Sequence, residues 1–290
     1  MDAIGMATVV DTELGPVEYV ELGAGSPVLF VHGSPGGWDE GELLSRFLVD
    51  AGFRVIAPSR PGYLGTPLTD ANATPDGQGR LHLALMDALG IDLFSAACWS
   101  GGGPSSYRLA ALGGERVQAL VAIAAISGSG FDPRFEGHIL ERRFGKWIVA
   151  ELRRQATKPL IEATLAEESS FDRRDLKAVV EEVWSDDDKR TFVLELAEII
   201  ASRRPGLLND LEQFPKIVDL DLPSIVAPVL LVHGTLDADV PPVHRDRAAA
   251  ALNDVERHDI DGGSHIAAWT GPGEQEAQDR IVTFLRTHSP

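Results

Sequence analysis

Residues 97–103, with the sequence ACWSGGG, decide the fold of this chain. The short apolar segment Leu93–Ala97 leads up to the serine, and residues 104–112 after it carry apolar side chains at helical spacing. The pattern predicts that Ser100 lies where a strand turns abruptly into a helix. Such a turn lifts a serine out of the sheet, and the N–H groups of the next helix point at whatever it attacks. Taken alone, the pattern also fits an ordinary serine in a tight turn.

Cys98 stands where the G-x-S-x-G pattern of such turns has a glycine. Small residues flank these turns because the strand and helix backbones nearly touch. Cys98 meets this requirement less well than glycine, so we expect modest strain or a shifted turn there. It is a poor candidate nucleophile itself, because a side chain two residues before the apex should point away from the cleft.

Composition narrows the possible functions and partners of the 290-residue chain. A chain of this length can bury about three quarters of its unfolded surface, so the core needs no disulfides or metals for stability. The formal charge of −18 argues against nucleic acid or an anionic membrane as a partner. The single cysteine, Cys98, allows neither an intramolecular disulfide nor a thiolate metal cluster.

Several features lead us to expect a cytoplasmic protein that acts on a small molecule. The first residues show no basic region followed by an apolar run, so no secretory signal is expected. We find no run of about 18 apolar residues, the length of a membrane-spanning helix. The oligomeric state is not readable from these features, and a homodimer stays open.

Alternating strand and helix patterns predict an α/β fold with a mostly parallel central sheet flanked by helices. A hairpin is expected at Thr8–Thr12 and Val17–Glu21. The other predicted strands are Pro27–Val31, Arg54–Pro58, Leu93–Ala97, Val117–Ala124, Ala227–Val232 and Val255–Ile260. The predicted flanking helices are Asp39–Asp50, Thr74–Leu89, Pro104–Leu112, Val243–Leu252 and Gly273–Arg286.

The alternation stops between residues 128 and 222, where helical patterns replace it. The predicted helices are Leu140–Ala150, Pro159–Glu168, Asp172–Trp184, Asp187–Ala201 and Leu207–Phe214. We expect a core domain of residues 1–127 and 223–290, with residues 128–222 as a helical cap over the carboxyl edge of the sheet. The acidic run at 186–188 is typical of a helix start, and no other ligands are spaced around it for a metal.

Two later loops supply what a nucleophilic serine needs, a general base and an acid that orients it. Asp237 lies in the loop that follows the predicted strand ending at Val232, and His265 follows the predicted strand that ends at Ile260. In a parallel sheet, both loops open on the same edge as the turn at Ser100. The order Ser, Asp, His along the chain is that of the α/β-hydrolase fold.

The motifs together resemble those of α/β-hydrolase-fold serine hydrolases with a helical cap, in the proline iminopeptidase and esterase-like branch. The matching segments are HGSPG at 32–36, RPGYLG at 60–65, CWSGG at 98–102, HGTLDADVP at 233–241 and GGSH at 262–265. The resemblance implies an α/β-hydrolase fold with Ser100 as the nucleophile, Asp237 as the acid and His265 as the base. It implies no metal and no organic cofactor.

The same resemblance suggests further site residues. The backbone N–H groups of Ser34 and Gly101 correspond to the oxyanion donors, each worth about 3 kcal/mol of barrier. Trp99, Gly33 and Pro35 are candidates for the substrate pocket. Trp99 either faces the cleft or packs beneath the cap.

Some residues compete for these roles. Asp239 could replace Asp237 as the acid, but the H-G-x-x-D-x-x-V-P spacing favours Asp237. His32 and His233 stand at strand ends, where we expect them to hold loops by hydrogen bonds. Histidines without a motif are expected to be solvated or satisfied in the core: His82, His138, His244, His258 and His288.

Ser100 favours acyl transfer, whereas relatives that hydrolyse haloalkanes or epoxides have aspartate at the apex. We expect hydrolysis of a small carboxylic ester or lactone. An aminopeptidase like proline iminopeptidase, which holds a free amino terminus with cap carboxylates, stays open, as do carbon–carbon bond hydrolysis and a non-catalytic small-molecule receptor. The carboxylates available in the predicted cap are Glu136, Glu141, Glu162, Glu167 and Glu168.

Overall fold

The computed structural model describes residues 6–129, 158–199 and 203–289. The predicted helix Leu140–Ala150 lies outside these residues, as do Glu136, His138 and Glu141. The predicted domain division, with its boundaries after residues 127 and 222, stays a prediction.

A central sheet carries the strands in the predicted chain order. The strands are β1 Thr8–Thr12, β2 Gly15–Leu22, β3 Pro27–Val31, β4 Arg54–Pro58, β5 Phe94–Trp99, β6 Val117–Ile123, β7 Val229–Gly234 and β8 Val255–Ile260. They form one eight-stranded sheet in the order β1-β2-β4-β3-β5-β6-β7-β8. β2 pairs antiparallel with both β1 and β4. Every other pair of neighbouring strands in this order is parallel. The mostly parallel sheet predicted from the sequence is therefore confirmed.

Helices cover both faces of this sheet. The flanking helices are α1 Trp38–Asp50, α2 Pro75–Ala88, α3 Gly103–Gly113, α8 Val243–Ala251 and α9 Glu274–His288. Side chains of α1 and α9 form one apolar cluster with Val28 and Phe30 of β3. Side chains of α2, α3 and α8 form a second cluster with Leu29 and Val31 of the same strand. Because successive residues of a strand face opposite sides, β3 reads as a continuous apolar run.

Further helices lie between β6 and β7. Their bounds are α4 Lys158–Glu167, α5 Arg173–Ser185, α6 Asp187–Ile199 and α7 Arg204–Gln213. Asp172 caps α5 by accepting bonds from the N–H groups of Arg174 and Asp175. Asp186 accepts bonds from the N–H groups of Asp188 and Lys189 at the start of α6. The acidic run at 186–188 is thus a helix start.

The described residues contain no helix with both the length and the apolar composition that a membrane crossing requires.

Candidate active site

Ser100 lies on a strained turn at the carboxyl end of β5. Trp99 still has extended backbone angles, whereas Ser100 has a φ of +51°, which is unusual for a residue with a side chain. Gly102 follows where a Cβ atom would lie 2.6 Å from the carbonyl oxygen of Val31. Only glycine therefore lets the turn approach β3 this closely. Ser100 is nearly enclosed, with 3% of its surface exposed.

The backbone strain expected in this turn lies at Ser100 and not at Cys98 itself, and whether Cys98 causes it stays a prediction. Cys98 lies within β5, in register with Val31 of β3 and Ala122 of β6, and it has no positive φ. Its side chain is fully buried in the apolar cluster of α2 and α3. Burial raises the pKa of its thiol to about 12. The position tolerates cysteine because the small side chain packs into this apolar cluster on one face of the sheet.

Asp237 and His265 are directly joined. Asp237 Oδ2 lies 2.8 Å from His265 Nδ1, and both residues are buried. Asp237 Oδ1 accepts bonds from the backbone N–H groups of Asp239 and Val240, at 3.0 and 2.8 Å. The carboxylate therefore fixes the imidazole with a proton on Nδ1, which leaves Nε2 as the nitrogen that can gain or lose a proton.

His233 and His32 hold loops, as expected from their positions at strand ends. His233 Nε2 lies 2.8 Å from the carbonyl oxygen of Val240 and 3.2 Å from Asp237 Oδ2. His32 Nε2 accepts a bond of 2.8 Å from the N–H of Arg60, so its Nδ1 donates to the carbonyl oxygen of Gly33. His233 thus ties together two parts of its own loop, and His32 ties the loop after β3 to the loop after β4.

His265 lies beside the serine turn without bonding to the serine itself. The indole N–H of Trp99 donates to the carbonyl oxygen of His265 at 3.2 Å, and the two rings are 4.8 Å apart. His265 Nε2 has no hydrogen-bond partner among the described residues. His265 therefore packs against the residue before Ser100 without a hydrogen bond to the Ser100 hydroxyl, and catalytic hydrogen bonds often tighten only when substrate binds.

Two further carboxylates surround the free nitrogen of His265. Asp239 Oδ2 lies 3.4 Å from His265 Nε2. One carboxylate oxygen of Glu168 belongs to the same group, in which the side-chain atoms of Glu168, Asp239 and His265 lie within 4.8 Å of one another. Glu168 Oε2 is out of contact with solvent and has no hydrogen-bond partner among the described residues. We call these three residues the carboxylate–imidazole cluster.

The backbone holds Glu168 in this cluster. The carbonyl oxygen of Glu168 accepts a bond of 2.8 Å from the N–H of His265. Next along the chain, Ser169 forms an isolated β-bridge with Asp237, and the Ser170 N–H donates to the carbonyl oxygen of Leu236 at 2.9 Å. Residues 168–170 are therefore fastened to both loops that carry Asp237 and His265.

The charges of the cluster shift each pKa. Burial alone would lower the pKa of His265, but Asp237, Asp239 and Glu168 together raise it to about 10. Burial raises the pKa of Glu168 to about 8, while His265 lowers it and the neighbouring acids Asp239 and Asp237 raise it. Burial and Asp239 raise the pKa of Glu167 to about 7. The three carboxylates therefore favour the protonated form of His265, and only the form that has lost its second proton can act as a base.

Ser34 and Gly101 lie in contact across the turn. A Cβ atom on Gly101 would collide with the hydroxyl of Ser34 and approach Phe214 to 3.3 Å. Gly33 packs against the ring of Trp99, where a Cβ atom would lie only 2.6 Å from a ring carbon. Pro35 is buried and follows Ser34 through a cis peptide bond. Trp99 is 4% exposed and packs edge-on against Trp269, so it is enclosed rather than open to solvent.

A family model described as "Alpha/beta hydrolase family" matches residues 28–279. The chain belongs to the alpha/beta hydrolase family. It is 26% identical over 284 residues to an uncharacterized hydrolase, YcgS, of Bacillus subtilis, covering 94% of this chain and 96% of that protein. It is 24% identical to 2-hydroxy-6-oxo-6-phenylhexa-2,4-dienoate hydrolase of Comamonas testosteroni over 280 residues, 93% of this chain and 91% of that protein. An alpha/beta hydrolase fold protein from Nakamurella multipartita has a similar structure, with a TM-score of 0.91 and 41% identity over 97% of this chain and 99% of that chain.

In this hydrolase, a buried ion pair joins the loop of Ser34 to the helices between β6 and β7. Arg60 contacts Asp210 of α7 through two parallel hydrogen bonds of 2.9 and 2.7 Å. Asp210 Oδ2 also accepts bonds from the hydroxyls of Tyr63 at 2.6 Å and Ser34 at 2.5 Å. Arg60 reaches the Ser34 hydroxyl and the carbonyl oxygen of Gly33 as well, both at 2.7 Å. We call Arg60, Asp210, Tyr63 and Ser34 the arginine–aspartate network.

Neither group around the active site of this hydrolase follows fully from the sequence. Glu168 is visible there only as one of several acidic residues in a helical region, and Asp239 only as an alternative acid. Asp210 has no sequence motif, although its partners Arg60 and Tyr63 stand in the RPGYLG segment. The sequence could have indicated only that Arg60 needs an acidic partner, because an arginine at the end of a buried strand requires a counter-charge. It does not indicate which acid supplies that charge.

Proposed function

We propose that this hydrolase cleaves small carboxylic esters or lactones by forming an acyl-enzyme on Ser100. His265 acts as the general base and Asp237 orients it. The observation that carries the proposal is the strained turn of Ser100 beside the buried His265–Asp237 pair. A strained serine turn has no structural benefit, so its presence beside a base supports a catalytic role.

The reaction begins when His265 Nε2 accepts the proton of the Ser100 hydroxyl as the oxygen attacks the substrate carbonyl carbon. The developing oxyanion accepts hydrogen bonds from the backbone N–H groups of Ser34 and Gly101. His265 then gives the proton to the leaving oxygen, and a water molecule activated in the same way releases the acid. The close contact between Ser34 and Gly101 supports a shared oxyanion site.

The helices α4 to α7 act in this proposal as part of a cap that spans residues 128–222. Two contacts support this role. Residues 168–170 adjoin the loops of Asp237 and His265, and Asp210 reaches Ser34. The cap would therefore both bound the substrate pocket and hold the oxyanion loop.

A test of the nucleophile uses a short-chain p-nitrophenyl ester that the wild-type enzyme cleaves. Ser100→Ala should lower kcat by several orders of magnitude, because the acyl-enzyme cannot form. Circular dichroism should show that the variant remains folded. Wild-type turnover by the folded variant would refute the assignment of Ser100. Labelling of Ser100 by a fluorophosphonate with no turnover of a broad ester and amide panel would instead favour a receptor.

A second candidate is an aminopeptidase that takes substrates with a free amino group. The carboxylate–imidazole cluster favours it, because Glu168 and Asp239 offer negative charge beside the reacting base. A substrate ammonium bound there would neutralise the charges that hold the proton on His265. Comparing kcat/KM for short acyl esters with that for proline arylamides separates the two candidates. A strong preference for the arylamide that Glu168→Gln abolishes would establish the aminopeptidase.

A further inference from the structure

The carboxylate–imidazole cluster has the geometry of a metal site. The ligand atoms of Glu168, Asp239 and His265 lie within 4.8 Å of one another. The distance from His265 Nε2 to Asp239 Oδ2 is 3.4 Å. Zinc bonds of about 2.0–2.2 Å separate two tetrahedral ligand atoms by about 3.3–3.6 Å. His265 Nε2 and Asp239 Oδ2 therefore already have the separation of two zinc ligands. The Glu168 oxygen must move by little more than about 1 Å to become the third ligand.

His265 is prepared as a ligand by the same bond that prepares it as a base. Its Nδ1 proton is held by Asp237 at 2.8 Å, which leaves Nε2 to face Asp239. Histidines that bind metals nearly always donate their other ring N–H to a carboxylate or carbonyl oxygen. His265 is only 2% exposed, and its Nε2 has no hydrogen-bond partner among the described residues. A buried nitrogen without a partner points to a ligand that the folded chain alone does not supply.

Glu168 is held on a rigid support. Its own carbonyl oxygen bonds to the His265 N–H, and the two residues after it bond to the loop of Asp237. Its Oε2 atom is enclosed without a hydrogen bond from any described residue. Two carboxylates and one imidazole therefore lie close together before any ion binds, so little side-chain entropy is lost on binding.

We propose that Glu168, Asp239 and His265 bind a zinc-class divalent cation, and that this ion switches the hydrolase off. One nitrogen and two carboxylate oxygens suit Zn²⁺ and its transition-metal neighbours, whereas Mg²⁺ and Ca²⁺ take oxygen ligands in larger number. The two carboxylates offset the charge of the ion. The ion displaces the second proton of His265, which is released to solvent, and occupies the lone pair of Nε2, so Ser100 loses its proton acceptor. This inhibitory effect rests on the proposed function, while the binding site does not.

Binding is measured first, without reference to activity. The Ser100→Ala protein keeps every proposed ligand, and calorimetric titration gives its affinity for Zn²⁺ after treatment with a chelator. Adding Glu168→Gln or Asp239→Asn should weaken Zn²⁺ binding at least about tenfold, since even changes behind the ligands cost that much. Glu162→Gln is the matched control, because Glu162 is an exposed residue of α4. Unchanged affinity in both ligand variants would overturn the site.

Inhibition is measured second, on the wild-type enzyme with an ester substrate. Zn²⁺ should inhibit with a constant close to its dissociation constant, EDTA should restore activity, and Mg²⁺ at the same concentration should have no effect. Bound Co²⁺ should show the intense visible absorption of a tetrahedral site, which Glu168→Gln should reduce. If Zn²⁺ binds with the expected variant pattern but turnover continues, the inhibitory switch is refuted, and with it the role of His265 as the base.

Discussion

Two carboxylates from the segment between β6 and β7 reach the candidate active site under opposite electrostatic conditions. Asp210 meets Arg60 through a two-point ion pair and accepts further bonds from Tyr63 and Ser34. Glu168 has an enclosed oxygen without a hydrogen bond from any described residue. A fully satisfied charge is fixed and contributes geometry, whereas an unsatisfied one is available to a proton or a cation. Asp210 thus belongs to the framework of the candidate site, whereas Glu168 is free to take part in its chemistry in the function proposed above.

Among the variants that test this difference between Asp210 and Glu168, Asp210→Ala should have the largest effect on stability. The change leaves the Arg60 guanidinium buried without its counter-charge, so the free energy of unfolding should fall by about 3–5 kcal/mol. Denaturant unfolding measures the loss, and Asp210→Asn provides a milder version if the alanine variant does not fold. Turnover should also fall, because Ser34 loses the acceptor of its hydroxyl.

Glu212→Ala on the same helix is the matched control for Asp210. Glu212 pairs with Lys216 on the surface, where both side chains are more than half exposed. Removing such an exposed pair should leave the free energy of unfolding nearly unchanged, because solvent screens the two charges. Equal destabilisation by the two variants would mean that the arginine–aspartate network has no special structural role.

The fold was predictable because its signals are local. The apolar run of β3 predicts a buried strand, and the glycines after Ser100 predict a tight turn. Each prediction depends only on a few adjacent residues. The Asp237–His265 contact was predictable for a related reason, since loops at the carboxyl ends of parallel strands share one edge. The order of elements along the chain and the Asp237–His265 contact can therefore be predicted without knowing how distant side chains pack.

The two carboxylates were not predictable in the same way. Arg60 and Asp210 are separated by 150 positions in the chain, and nothing near Asp210 distinguishes it from a solvated helix acid. Glu168 joins the site only because residues 168–170 pair with the loop of Asp237. Such pairings depend on how the helices dock on the sheet, and an acid on a helix is usually exposed.

Cys98 shows the limit of a motif used without its surroundings. The glycine pattern predicts strain at Cys98, yet the strain lies at Ser100 and Cys98 is regular strand. Cys98→Gly should therefore destabilise the protein by about 1–2 kcal/mol, through lost burial and a more flexible unfolded chain. Thermal or denaturant unfolding measures it, with Cys98→Ala as the smaller change. A gain in stability from glycine would support the strain hypothesis.

Glu168→Gln tests the unsatisfied carboxylate of the comparison through the pH dependence of kcat. The raised pKa of His265 means that the base form, and with it activity, should increase as pH rises toward about 10. Removing the charge of Glu168 lowers the pKa of His265, so the rising limb of kcat against pH should move to lower pH. A move of about one unit corresponds to ~1.4 kcal/mol. Rates must be corrected for spontaneous ester hydrolysis at high pH.

The control for this pH experiment is Glu162→Gln, which removes an equal charge from the exposed side of α4. Its profile should coincide with that of the wild-type enzyme. A limb that stays in place for Glu168→Gln would mean that the carboxylate does not act on the base.

The smallest expected effect is that of Ser34→Ala, which separates the two parts of one residue. Its hydroxyl donates to Asp210 and accepts from Arg60, and those two groups keep each other when it is removed. The loss of stability should be about 1 kcal/mol. Because the variant keeps its backbone N–H, kcat should fall much less than the roughly 10²–10³-fold typical of a lost oxyanion donor. A loss of that larger size would mean that the hydroxyl, and not the backbone, is the donor, and Ser34 would then belong to the chemistry rather than to the framework that Asp210 holds.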